Sequence, residues 1–149
     1  MMDQPLPPPP QNAPRAPLSP SDERTWAMLA HFSILLNLVT GFLGTLAALV
    51  IYLVFRDRSR FVADQSLQAT LFQLAAWLVP GLIAIVLWTV GGILSVVCVG
   101  VLLFPLAGLA SLLPIAALVY GMVAGAHVYE GRDFRYWLIG DWVRGMQHD

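Results

Sequence analysis

The sequence predicts an all-α integral membrane protein: four helices in two hairpins, a short C-terminal interfacial helix, and a disordered proline-rich N-tail. Three observations predict it. Of 149 residues, 58% are hydrophobic and only 11% charged, against about 25% charged in an ordinary soluble domain, and the mean hydropathy is +0.71. The charges are also clustered, leaving 31 uncharged residues between Arg24 and Arg56 and 65 between Asp64 and Glu130. Finally, every cation is an Arg, and all eight (Arg15, Arg24, Arg56, Arg58, Arg60, Arg132, Arg135, Arg144) stand outside those two runs.

A helix crosses a hydrocarbon core about 30 Å thick with about 20 residues, so each run is long enough to fold back on itself. Two hairpins place all eight Arg on one face and leave the opposite loops uncharged, as the positive-inside rule favours. One steeply tilted helix in the first run, or three spans in the second, would export the N-tail or the C-terminal Arg trio. The expected location is therefore a bacterial inner (plasma) membrane, multi-pass, with both termini cytoplasmic.

Residues 1–20 hold eight of the eleven prolines and read as a solvated or polyproline-II tail, or as a proline-rich ligand. The tail lacks the basic and apolar regions of a signal peptide. Ser19-Pro20-Ser21-Asp22 reads as a helix start. Within the membrane domain, residues 21–131, the helices are expected over 21–37 and 42–56, with a turn at Asn37 to Gly41. Longer ones follow over 63–98, kinked at Pro80-Gly81, and 106–129. In residues 132–149, Phe134, Trp137, Leu138 and Trp142 share one side if helical, which reads as an interfacial helix seated at headgroup depth or as a docking face.

Polar groups at bilayer depth are costly, so they are the candidate sites. His31, Gln65, Gln68, Gln73 and His127 all fall in the cytoplasmic half. Gln65 and Gln68 are helix neighbours, whereas Gln73 is turned away by about 80° from the first and 140° from the second at 100° per residue. They serve either as interhelical ties, worth about 0.6 kcal/mol each, or as the lining of a polar path. His31 lies off the arc of Thr25, Ser33, Asn37 and Thr40, which disfavours a Ser-His dyad in that helix. Ala117, Gly121 and Gly125 form a small-residue ridge for close packing, within the chain or to another copy.

No nucleophile elbow, zinc motif, phosphate loop or C-x-x-C occurs, and lone Cys98 builds neither a disulfide nor a cysteine-rich metal site within one chain. The expectation is a non-enzyme without a cofactor. Its partners are the lipid bilayer and a membrane protein or second copy, with no nucleic acid, since a basic patch is missing.

The segments Glu23 to His31, Phe61-Val62 with Gln68, Phe72 and Gln73, and Gly131 to Tyr136 resemble a bacterial membrane family of unknown function. That family is distantly similar to the Tic-twenty-like subunits of the chloroplast inner-envelope translocon. The likeness spans about residues 21–143 and departs at Gln65 and Trp137, where many relatives carry His and Pro. It implies a four-helix inner-membrane protein with no established enzyme activity. The expected function is thus a scaffold or subunit in membrane protein insertion, translocation or envelope assembly, with an oligomeric small-solute or ion conduit as the alternative. A conduit should leave its polar cluster open to water; a scaffold should bury it.

Overall fold

The computed structural model describes residues 17–148, and among them all regular structure is helical. The proline-rich stretch 1–16, on which the tail reading rests, lies outside the described residues.

Helix α1 (Pro20–Phe32) starts as the sequence dictates. The Ser19 hydroxyl accepts the Asp22 N–H at 3.2 Å, Pro20 takes a position where no N–H is needed, and Asp22 and Glu23 face the positive dipole end. The helix breaks for one residue at Ser33, whose hydroxyl lies 2.7 Å from the Ala30 carbonyl and 2.8 Å from that of Gly44. Serine offers the backbone such alternatives to a regular ladder. Helix α2 (Ile34–Thr40) resumes and stops at Gly41, where φ is 79°, a value that suits a residue without Cβ.

Helix α3 (Leu43–Phe55) then runs back. Its orphan N–H groups at Gly44 and Thr45 donate to Asn37 Oδ1 at 2.8 and 3.4 Å. Asn37 therefore lies inside α2 and caps the next helix, and the turn is shorter than the expected Asn37 to Gly41.

Helix α4 (Arg60–Gln73), capped by Ser59, passes without interruption through a π-helical turn at Leu74–Leu78 into α5 (Val79–Leu94). Pro80 supplies the reason: it has no N–H to donate, and just before it the Val79 N–H reaches back to the Leu74 carbonyl. After a 3₁₀ turn the chain reverses at Cys98, which takes φ 62°. A second 3₁₀ turn leads into α6 (Phe104–Tyr129), with Pro114 inside it.

The two hairpins are unequal in length. The Trp77 indole N–H donates to the Gly41 carbonyl at 3.0 Å, which sets the turn of the first hairpin level with residue 77. The continuous helix Arg60–Val97 extends some 20 residues, or about 30 Å, beyond that point. Helix α1 lies against α4 and the second half of α6, while α5 packs on the first half of α6.

Small buried residues such as Ala27, Ala30, Ala48, Ala69 and Ala124 let the helices approach closely. The outer surface is apolar instead, with Leu46, Val50, Ile85, Ile93, Leu102 and Leu109 all exposed. The helices Arg60–Val97 and Gly100–Tyr129 are each long and apolar enough to cross a membrane.

The C-terminal segment differs from its expectation. Residues 132–139 form a non-helical strap, and the last helix, α7, covers only Gly140–His148. Along the strap Phe134 and Tyr136 point inward while Arg135 and Trp137 are exposed. That alternation is incompatible with the helical face of Phe134, Trp137, Leu138 and Trp142.

Candidate functional site

The strap is held by polar side chains from two helices. Gln65, on α4, donates through Nε2 to the Phe134 carbonyl at 3.0 Å and to Asp133 Oδ1 at 3.1 Å. Its Oε1 is 3.0 Å from His31 Nε2, and His31 Nδ1 is 2.9 Å from the Tyr136 hydroxyl. Since Gln65 Oε1 can only accept, His31 Nε2 donates to it, and the other ring nitrogen accepts from the tyrosine. Burial, with Tyr120 beside it, pushes the Tyr136 phenol well above its ordinary range, so its O–H remains a donor. One turn along α4, Gln68 Oε1 accepts the Tyr136 backbone N–H at 3.3 Å. The Tyr136 ring stacks on Phe72 at 4.0 Å between centroids and 10° between planes.

Gln73 serves a second knot, as its different angular position requires. Its Oε1 accepts from Asn37 Nδ2 at 3.1 Å, and its Nε2 donates to Ser33 Oγ at 3.1 Å and the Ala30 carbonyl at 3.3 Å. The two knots thus divide the glutamines, with Gln65 and Gln68 on the strap and Gln73 on the first hairpin. All three, with His31, are at most 1% exposed.

His127 stands apart, half-buried in the last turn of α6. Its ring stacks on Phe134 at 5.8 Å and 10°, and its Nδ1 is without a hydrogen-bond partner, as is Gln68 Nε2. The small-residue ridge packs within the chain. A Cβ on Gly125 would come 2.6 Å from the Phe32 ring, and one on Gly121 would come 3.2 Å from Ile34. Ala117 is buried in the same cluster as Ile34 and Tyr136.

Around the strap the charges pair at the surface. Arg144 bonds Asp133, and Arg135 lies 3.8 Å from Asp133 and 3.5 Å from Asp141. Among the described residues no group of three or more His, Cys, Asp or Glu is arranged to hold a metal ion. The buried side chains of the network are neutral and, apart from Gln68 Nε2, are paired within it or with the strap, so what it does chemically is tie the strap to α1 and α4.

Tyr136, Asn37 and Ser33 belong to this arrangement and were not among the sequence candidates. For Tyr136 the usable signal was the period-two pattern from Phe134 to Trp137, which reads as an extended segment once the helical period is set aside.

An all-helical body with two long apolar helices, its polar side chains turned inward and its apolar ones outward, is the build of a membrane-associated helical protein. The chain belongs to the magnetosome magnetite crystal formation protein family (MamF/MmsF), whose family model matches residues 22–143. No curated protein and no solved structure matches it.

This membership corrects the Tic-twenty-like resemblance: the segments that carry it lie within the matched region but belong to a different family. It likewise overturns the expected part in insertion, translocation or envelope assembly, and gives the conduit alternative no better support.

Proposed function

We propose that this chain is a non-enzymatic, multi-pass membrane protein that acts in magnetite crystal formation, as its family's description states, by presenting a rigid charged head at the membrane surface. The observation that carries the reading is the buried polar network beneath the strap. It spends His31, Gln65 and Gln68 on fixing Asp133 to Tyr136 in place, which holds the exposed charges of the strap and α7 where they can meet groups outside the bilayer.

The membrane part is supported by the charge-free runs and by the apolar outer surface. Arg60–Val97 spans about 57 Å if straight, well beyond a hydrocarbon core of about 30 Å. A long helix adapts by tilting or kinking, and the π-turn, Pro80 and Pro114 provide the kink sites. The positions of the Arg residues support cytoplasmic termini in an inner membrane.

Two experiments test this. In sealed cells, native Cys98, exposed at the far turn, should react with an impermeant thiol reagent applied outside. In a Cys98→Ala background, Asp57→Cys should stay protected; the reverse pattern contradicts the orientation. The function is tested by expressing the chain in a magnetite-forming bacterium deleted for its own family member. Restored magnetite crystal formation is expected. Unaltered mutant crystals, with the chain present in the magnetosome membrane, would sink the reading.

A further inference from the structure

Beside the strap the structure leaves a groove between α4–α5 and α6. Two apolar cavities of about 180 and 400 Å³ share Phe72, Ala76 and Tyr120 and so run end to end. The nearer one is walled by the strap run Tyr136 to Ile139, and the farther one reaches Pro80 and Leu113. The π-turn and Pro80 disturb one wall of the groove and Pro114 the other, and Ala75, Ala76, Ala116 and Ala117 line it between the larger Phe72, Tyr120 and Leu113.

We propose that this groove holds an acyl chain of an amino-headgroup phospholipid, phosphatidylethanolamine, with its phosphate on Arg135 and its ammonium on Asp141. The inference deepens the membrane reading above and rests on it. Charge complementarity selects the headgroup. Arg135 directly precedes the groove-lining run and Asp141 follows it after Gly140, and the two are brought together because the Ile139 and Gly140 N–H groups both bond the Tyr136 carbonyl, at 3.2 and 2.8 Å, and bend the strap into a tight turn.

Asp133 is held by Arg144 and Gln65 and lies 3.8 Å from Arg135, while Arg135 and Asp141 present one positive and one negative group 3.5 Å apart. With side chains 52% and 90% exposed, this pair is weakly held and opens to a ligand bringing the same two charges. Guanidinium binds phosphate, and a primary ammonium donates hydrogen bonds to a carboxylate. A choline headgroup has no N–H to give Asp141, and a purely anionic lipid meets its negative charge. Trp137, 86% exposed, stands at the mouth, as tryptophan does at headgroup depth.

The test uses the full chain in phosphatidylcholine vesicles carrying a small fraction of phosphatidylethanolamine brominated on its acyl chains. The signal is the tryptophan quenching lost on Trp137→Phe. Brominated phosphatidylethanolamine should be enriched at Trp137 about tenfold over its bulk fraction, on the scale of two charge-assisted contacts, and brominated phosphatidylcholine should not be.

Asp141→Asn and Arg135→Gln, both at exposed positions, should each return the quenching to the bulk value. Ala116→Leu, which fills the groove from an exposed position, should do the same with the charges intact. Equal quenching by both lipids, a preference for brominated phosphatidylglycerol, or quenching unaffected by these variants overturns the site while leaving the membrane reading standing. Failure of the chain to float with the vesicles overturns both.

Discussion

Replacing Gly125 with Ala should destabilise the protein by about 1–3 kcal/mol, the usual cost of overpacking a filled interface, although the same change in an open helix stabilises. The added methyl would sit 2.6 Å from the Phe32 ring and 3.2 Å from His31 Cβ, so α1 must move off α6 and the His31 relay to Gln65 and Tyr136 must stretch with it. Gly92→Ala and Gly108→Ala provide the contrast, since a Cβ at either position meets nothing within 4 Å. Helix propensity alone then operates, and each should gain up to about 1 kcal/mol. Thermal unfolding in mild detergent separates the two signs. A Gly125→Ala protein as stable as Gly92→Ala would show that α1 and α6 are not in contact as described.

The second large effect is expected at Gln65. Leu at this position removes the acceptor of His31 Nε2 and both donors to the strap in one step. Interhelical hydrogen bonds in membranes average about 0.6 kcal/mol and reach about 1.7, and a buried polar group left unpaired adds about 1–3 kcal/mol. A loss of about 2–3 kcal/mol follows. The strap should loosen before the helices do, so trypsin should cut at Arg132 and Arg135 faster in Gln65→Leu than in the unaltered chain. Unchanged cleavage there would remove Gln65 from the clasp.

Much of this architecture could be read from local chemistry. Ser19 and Pro20 announce the first helix because capping needs only neighbours, and Gly41 marks the first reversal because few residues accept its φ. The angular separation of Gln73 from Gln65 and Gln68 follows from helix geometry alone, and the structure uses it to serve two different knots. Ala117, Gly121 and Gly125 are legible as a packing ridge by their spacing, though which surface they meet depends on α1.

What stayed hidden depends on contacts distant in sequence. Asn37 looks like a turn former, yet its amide reaches seven and eight residues on, to Gly44 and Thr45, and its own helix continues past it. Tyr136 was masked because its neighbours Trp137, Leu138 and Trp142 suit an amphipathic helix, and only the acceptors offered by His31 and Gln68 draw it inward. The unequal lengths of the hairpins were legible in the expected helices 21–37 and 42–56 against 63–98 and 106–129, but apolar composition does not register how far along the long helix the first hairpin reaches. Trp77, bonded to Gly41, does.

His31, Gln65 and Gln68 clasp the strap, and the Tyr136 amide reports on that clasp most directly. It is a backbone N–H in a non-helical segment, and its protection comes from Gln68 Oε1 and from burial of the residue, only 2% exposed. Hydrogen exchange resolved to single amides, on the full chain in lipid nanodiscs, should find Tyr136 as slow as the amides of α4, and clearly slower than Trp137 and Leu138 beside it. Exchange of Tyr136 at the rate of those two neighbours would mean that the strap is not clasped, and that His31, Gln65 and Gln68 are held for some other purpose.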